Sequence, residues 1–277
     1  MGVIESLVSK FSNVIKSKRV YAPEEAYMEH VEIILVGDGP YVLFDSGYSI
    51  QREEVVDWIY KETKGNLDKF VLTHQHYDHS GNAKAVCDAF SVPCHAHPIE
   101  IELVKEREPD LPVVPIKENF VVDVGEINLK AIFTPGHSPG HLTFWWEEEK
   151  VLIGGDNILT DTTTAVVPPS GDLGEYIRSL KKVLDMAPKL LYPGHGKPIE
   201  NPEERINYLL SHRDKREKQV LQALLKNDSS LEELAKSIYR NLREDQLKFG
   251  VNMIKSIIEK LKKEQKITYE KGICKIL

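Results

Sequence analysis

The sequence predicts an α/β protein in two parts. The larger part layers apolar strands with helices, and the smaller part is helical and closes on a hairpin. Three observations carry this. Short apolar runs recur between residues 31 and 193, bounded by glycine, proline or aspartate. Amphipathic stretches with helical spacing lie between them. From Pro202 onward the period becomes helical until the last dozen residues. A chain of 277 residues also favours two domains, since domains commonly run about 100–200 residues. The boundary is expected between residues 205 and 206.

In chain order, residues 1–20 read as a helix or arm with Ile4, Leu7, Val8, Phe11 and Val14 on one face. Residues 31–36 and 41–47, joined by Gly37-Asp38-Gly39, read as a β-hairpin. Residues 51–63 form an amphipathic helix through Val55, Val56, Trp58 and Ile59. Residues 70–73 are a buried strand, followed by a polar loop and a helix containing Ala83, Val86, Cys87 and Phe90. A short strand follows near residues 92–97, then a helix and loop over 100–115 at the site mouth. Strands resume at 120–122, 127–133, 142–146 and 151–153, with Trp145 and Trp146 facing opposite sides. Residues 157–169 make a polar loop that frames the substrate, and 173–186 are helical.

In the second part, a helical segment through Ile206, Leu209, Leu210, Val220, Leu221 and Leu224 breaks at Asn227-Asp228-Ser229. Ser230 is suited to N-cap a second helix with Leu231, Leu234, Ala235 and Ile238 inward. A third helix runs over about residues 248–263, leaving Lys255, Lys262 and Lys263 to solvent, and residues 266–277 form a terminal hairpin. Three helices and a hairpin resemble a winged-helix domain, which serves either in nucleic-acid binding or in plain packing.

The chemistry concentrates in His74-Gln75-His76-Tyr77-Asp78-His79. Three imidazoles and a carboxylate are costly in a core and well suited to borderline divalent metals, which take neutral imidazole nitrogen and carboxylate oxygen. On a loop that reverses between strand and helix, His74 and His76 can face one side while Asp78 and His79 face the other. Three later strands end in comparable groups: Gly136-His137 with His141 in Gly140-His141, Gly155-Asp156, and Gly194-His195-Gly196. Each group lies just past an apolar run, with glycine beside it to allow close backbone approach.

These four blocks, in this order, resemble the metallo-β-lactamase superfamily over roughly residues 31–199. The resemblance implies an αββα sandwich. It also implies two divalent metal ions, zinc before iron or manganese. His74, His76 and His137 are then ligands of one ion, Asp78, His79 and His195 of the second, and Asp156 bridges both. The implied nucleophile is a hydroxide shared by the ions, oriented by Asp78 as the catalytic carboxylate. His141 is a candidate for substrate contact, with a loop-fixing hydrogen bond as the alternative. Asp45 is a candidate support for the ligands, with a turn-forming role in Asp45-Ser46-Gly47 as its alternative.

Composition narrows the setting. Formal charge is −7, yet from Ser211 onward 16 Lys/Arg stand against 10 Asp/Glu, and the preceding chain holds 20 against 33. The tail is therefore the basic part of an acidic protein. Three cysteines without Cys-x-x-Cys spacing, and no apolar leader or spanning run, point to a reduced, cytoplasmic setting without a membrane role. Met1-Gly2 begins a loose myristoylation pattern of the kind that arises by chance. No phosphate-binding glycine loop and no Gly-x-Ser-x-Gly elbow is present.

The expected function is thus dinuclear metal-dependent hydrolysis. With a winged helix after the core, joined through residues 211–217, the chain is similar to the β-lactamase-like 2 branch, which includes an endoribonuclease. That likeness implies a phosphodiesterase acting on single-stranded RNA. The alternatives are a thioesterase or lactonase on a small molecule, similar to hydroxyacylglutathione hydrolase, and a nucleic-acid-binding module with a structural metal. The last is disfavoured because structural zinc sites are closed, with four protein ligands. The sequence sets no oligomeric state.

Overall fold

A computed structural model describes residues 7–24, 26, 28–239 and 243–277. The first half contains α1 (Leu7–Phe11), β1 (Ile15–Tyr21), β2 (His30–Val36), β3 (Val42–Phe44), α2 (Arg52–Thr63) and β4 (Lys69–Val71). It continues through α3 (Tyr77–Ser80), α4 (Ala83–Phe90), β5 (Cys94–Ala96), α5 (Pro98–Lys105) and β6 (Val113–Pro115). The second half contributes β7 (Val121–Val124), β8 (Ile127–Phe133), β9 (Leu142–Trp146), β10 (Val151–Gly155), α6 (Leu173–Asp185) and β11 (Leu190–Pro193). The chain ends with α7 (Pro202–Leu224), β12 (Ser229–Ser230), α8 (Leu231–Ile238), α9 (Glu244–Lys263), β13 (Ile267–Glu270) and β14 (Ile273–Ile276).

One sheet runs β1-β2-β3-β4-β5-β6 and a second runs β11-β10-β9-β8-β7. The two-residue period of a strand assigns their side chains to layers. On β2, Ile34 and Val36 enter the core between the sheets, while Val31, Ile33 and Leu35 pack outward under α2 and α4. On β10, Val151 and Ile153 face the same central core, and Leu152 faces α6 and α7. Phe44 and Phe144 meet across it with ring centroids 4.9 Å apart. Both faces of both sheets are covered, which explains why β2 and β10 read as continuous apolar runs rather than alternating ones. The result is the expected αββα sandwich.

The third sheet, β12-β14-β13, closes the C-terminal part. The Ser230 cap forms with its capping box through Glu233. The core on the outer face of the second sheet continues from Leu152, Tyr176 and Leu180 into Ile254, Ile258, Leu261 and Ile267. The last 70 residues therefore share a buried surface with the sandwich. Among the described residues no helix is long and apolar enough to cross a membrane. Cys87, Cys94 and Cys274 are free and buried.

Several expectations need correction. The N-terminal arm is helical only over α1; residues 15–21 are an edge strand fully paired with β2. Its Lys16, Lys18 and Arg19 suit an edge, where charge discourages pairing with another chain. Met1–Ser6, including the acylation pattern and Ile4, lie outside the described residues. Residues 211–217, expected to join the two parts, are the middle of α7, a continuous 23-residue helix. That stretch holds only helix-tolerant residues, and Asp214–Lys218 adds an i,i+4 ion pair at 2.7 Å. The last helix begins four residues early, at Glu244. Trp145 is buried as expected for one of the pair, while Trp146 is half-buried and packs edge-on against Phe11.

Candidate metal centre

All seven ligand candidates converge at one end of the sandwich, each just beyond a strand, with Asp78 and His79 on the short helix α3 and the other five on loops. They form two sets of potential ligand atoms within 4.8 Å of one another: His74, His76 and His137, and Asp78, His79, Asp156 and His195. The segments beyond β4, β8, β10 and β11 supply them, so the apolar strands behind fix where the polar ends lie.

In the first set the ring nitrogens form a triangle: His74 Nε2 to His76 Nδ1 is 3.0 Å, His76 Nδ1 to His137 Nε2 is 2.8 Å, and His137 Nε2 to His74 Nε2 is 3.2 Å. The outer partners set the tautomers. His137 Nδ1 donates to the Ala165 carbonyl at 2.7 Å, leaving Nε2 a bare lone pair. Thr73 Oγ1 donates to Asp45 at 2.8 Å, so its oxygen receives the Nδ1–H of His74 at 3.0 Å and again bares Nε2. Only His76 can put a proton into the triangle. Three converging nitrogens at nearly the separation of tetrahedral zinc ligands (about 3.3 Å for bonds of about 2.0–2.1 Å) fit a cation well.

Burial pushes all three of these imidazoles toward the neutral, metal-binding form. The effect holds His74 well below the usual range, reinforced by His79 and His76, and lowers His76 to about 3, reinforced by His137. Burial lowers His137 as well, with Asp156 opposing.

The second set is built of opposite charges. Its contacts are His79 Nε2 to Asp156 Oδ1 at 3.2 Å, His195 Nε2 to Asp78 Oδ2 at 3.2 Å, and His195 Nε2 to Asp156 Oδ2 at 3.3 Å. Asp156 Oδ2 also lies 3.5 Å from His137 Nε2, so one carboxylate reaches both sets. Burial would lower His79, but Asp156, Asp45 and Asp78 raise it well above its usual value. Burial is likewise overcome at His195, which Asp156 and Asp78 raise to about 10. Asp156 is held well below the carboxylate range by His195 and His79 against its burial, and Asp78 is lowered in the same way. His79 Nε2, His195 Nε2 and Asp156 Oδ1 are buried, and their contacts within the set fall short of hydrogen-bond geometry, as for ligand atoms that would face a metal rather than one another.

Asp45 sits at the end of β3 with φ of 62°, a strained value for a non-glycine residue. Its carboxylate accepts from Thr73 N at 2.8 Å and meets His79 Nδ1 at 2.8 Å, so it steadies one candidate ligand of each set. His195 Nδ1 is fixed by the His30 carbonyl. His141 is fully buried, with Nδ1 on Thr134 Oγ1 at 3.0 Å and Nε2 accepting from Asp156 N at 3.1 Å. Both nitrogens are occupied, which fits the loop-fixing alternative rather than substrate contact. Gly194 is required by space, since a Cβ there would lie 2.3 Å from Asp156 Oδ1.

Two groups were not legible as part of the site. Glu100, on α5 and fully buried, accepts from Gln75 N and Gly140 N beside the ligand loops. Its sequence signal was a lone Glu in helical register with buried Val104. Arg213 of α7 donates to the Thr164 carbonyl, and Arg205 Nε to that of Leu159 at 2.7 Å. The loop over residues 157–169 is thus strapped to the C-terminal helix next to Ala165, the partner of His137. Its polar run gave no hint of this.

A relative over nearly the whole chain is a Drosophila melanogaster protein named beta-lactamase-like protein 2 homolog, 28% identical over 98% of this chain and 95% of its own length. An Aspergillus fumigatus atrochrysone carboxyl ACP thioesterase is 28% identical over 73% of this chain, which spans 62% of that relative. Among solved structures, a beta-lactamase domain protein from Burkholderia ambifaria shares the fold at a TM-score of 0.84 and 22% identity, covering 95% of this chain and 91% of its own. Residues 29–195 match the model of the metallo-beta-lactamase superfamily, and with its paired sheets and strand-end ligand loops the chain belongs to that superfamily of metal-dependent hydrolases.

Proposed function

We propose that this chain hydrolyses a small acyl substrate, a thioester, ester or lactone, with two divalent ions. His74, His76 and His137 would hold one ion, Asp78, His79 and His195 the other, and Asp156 both. Zinc suits a set rich in neutral imidazole that needs no redox change. Such a pair, when bound, acidifies a water toward neutral pKa and draws electrons from the scissile oxygen. The protein's own part is to aim and exclude. Asp78, whose side chain is 18% exposed against 8% for Asp156, meets the open side and is suited to orient the attacking water and take its proton. His141 holds the Asp156 backbone, and the 157–169 loop walls one flank.

The observation that carries the substrate class is the cleft of about 460 Å³ beside His195. Met28, Glu29, Asp161 and Thr162 line it, and no Lys or Arg is among its described lining residues. Two carboxylates beside the reacting centre repel a polyanionic strand, whereas binding of single strands relies on cationic grooves and aromatic platforms. The basic tail offers little in compensation. Lys263 is paired with Asp172 at 2.5 Å, and Lys262 lies 3.6 Å from Glu259. The name of the Aspergillus relative also supports a thioester. We assign residues 1–205 to catalysis and regard 206–277 as a winged-helix-like packing unit, a reading supported by the shared core and by the Arg213 strap.

The test is a panel assay of zinc-loaded protein on an acyl-CoA thioester, a lactone and single-stranded RNA. Thioester or lactone turnover that disappears in His76→Ala, with RNA left intact, is the expected result. Metal-dependent RNA cleavage, weakened by Lys255, Lys262 and Lys263 changes and unaccompanied by acyl hydrolysis, would reverse the assignment.

A further inference from the structure

We infer that Glu100 is a positioning residue that tunes the three-imidazole set, by holding its two loops at a fixed separation from beneath. The inference rests on the metal reading above. Glu100 is fully buried, and an isolated buried carboxylate is expensive unless every lone pair has a donor. Here the donors are specific. Gln75 N, between His74 and His76, reaches Oε2 at 2.7 Å. Ser138 Oγ, next to His137, reaches Oε1 at 2.7 Å and Oε2 at 2.8 Å, and Gly140 N, next to His141, reaches Oε1 at 2.5 Å.

One carboxylate therefore touches the immediate neighbours of all three imidazoles of the set without being among the candidate ligands itself. Arg107, just beyond the same helix, supplies the counter-charge. It donates to Gln75 Oε1 at 2.9 Å, to the Gln75 carbonyl at 2.5 Å and to Ser80 Oγ at 3.1 Å. The fit is close, since a Cβ on Gly140 would lie 2.8 Å from the Glu100 carboxylate. Asp78 and His79 of the second set lie between Gln75 and Ser80, but Asp156 and His195 stand on other loops, so the effect should be larger at the three-imidazole set. Each carboxylate oxygen accepts from a backbone N–H, Oε2 from Gln75 and Oε1 from Gly140, so a glutamine amide would have to turn its own N–H toward one of these donors.

The experiment measures the affinities of the two ions in full-length Glu100→Gln, by chelator competition with zinc and by the visible absorption of cobalt(II), which reports coordination geometry. We expect a 10–100-fold loss at the three-imidazole set, of the size seen when groups behind metal ligands are altered. The carboxylate set should change less than about threefold, and the cobalt spectrum should shift. Unchanged affinities, or an equal loss at both sets in step with a lower melting temperature of the metal-free protein, would overturn the inference. Ser138→Ala covers the case in which the buried amide prevents folding; it should weaken the same set alone, and no loss there would also overturn the role. Wild-type protein that takes up no ion at His74, His76 and His137 would instead sink the metal reading on which this rests.

Discussion

The two ligand sets lie side by side and share Asp156, yet they are prepared for a cation in opposite ways. The three-imidazole set is preorganised by burial, with lone pairs bared by partners behind each ring and little tendency to protonate. The carboxylate set is prepared by charge, with Asp45, Asp78 and Asp156 pushing His79, and Asp78 and Asp156 pushing His195, toward the protonated form. One set must only accept a cation, while the other must exchange protons for one.

The sharpest way to break this comparison is to remove the shared group. Asp156→Ala should cost at least one ion per chain and lower turnover about 10³-fold or more, the several kcal/mol that paired cations contribute to charge stabilisation. Full metal content and activity in this variant, by elemental analysis and assay, would end the bridging role.

Next in size is pH. A group whose pKa lies above ambient pH holds a proton that competes with metal. Uptake at the carboxylate set should therefore release up to two protons near neutrality, and its affinity should fall about 100-fold per pH unit as pH drops below the raised values. The three-imidazole set should hold its affinity through pH 6, since His76 titrates near 3. Calorimetry in buffers of different ionisation enthalpy reads the proton counts, and equal counts at both sets would contradict the comparison.

Asp45→Asn probes the link between the sets. It removes the charge behind His79 and should weaken the carboxylate set about 10–100-fold, with a smaller loss at His74 through Thr73. The smallest effect is expected from Arg213→Ala, which frees the Thr164 carbonyl and the loop beside Ala165. The lost charged hydrogen bond is worth about 1.5–3 kcal/mol, read as a melting shift of several degrees with both ions retained.

The clustering of the candidate ligands was legible because His74, His76, Asp78 and His79 within six positions are too polar a group to serve as packing residues. The strands were legible because those buried on both faces read as continuous apolar runs, whereas their arrangement in a sandwich followed only from the resemblance carried by the four ligand blocks. The edge strand at residues 15–21 was not, because lysines that protect an edge also break the alternation that marks a strand. Glu100 was hidden because burial of a lone carboxylate depends on donors 25 to 40 positions away. The run at 211–217 was read as a join because charge density marks helices and linkers alike, and only Thr164 and Tyr176 beneath Arg213 decide between them.

The most direct test is anomalous diffraction from crystals of the zinc-loaded protein. Two peaks about 3.5–4 Å apart are predicted, one among His74, His76 and His137 and one among Asp78, His79 and His195, with Asp156 between them. A single fully occupied peak, or zinc bound only away from these side chains, would contradict the account.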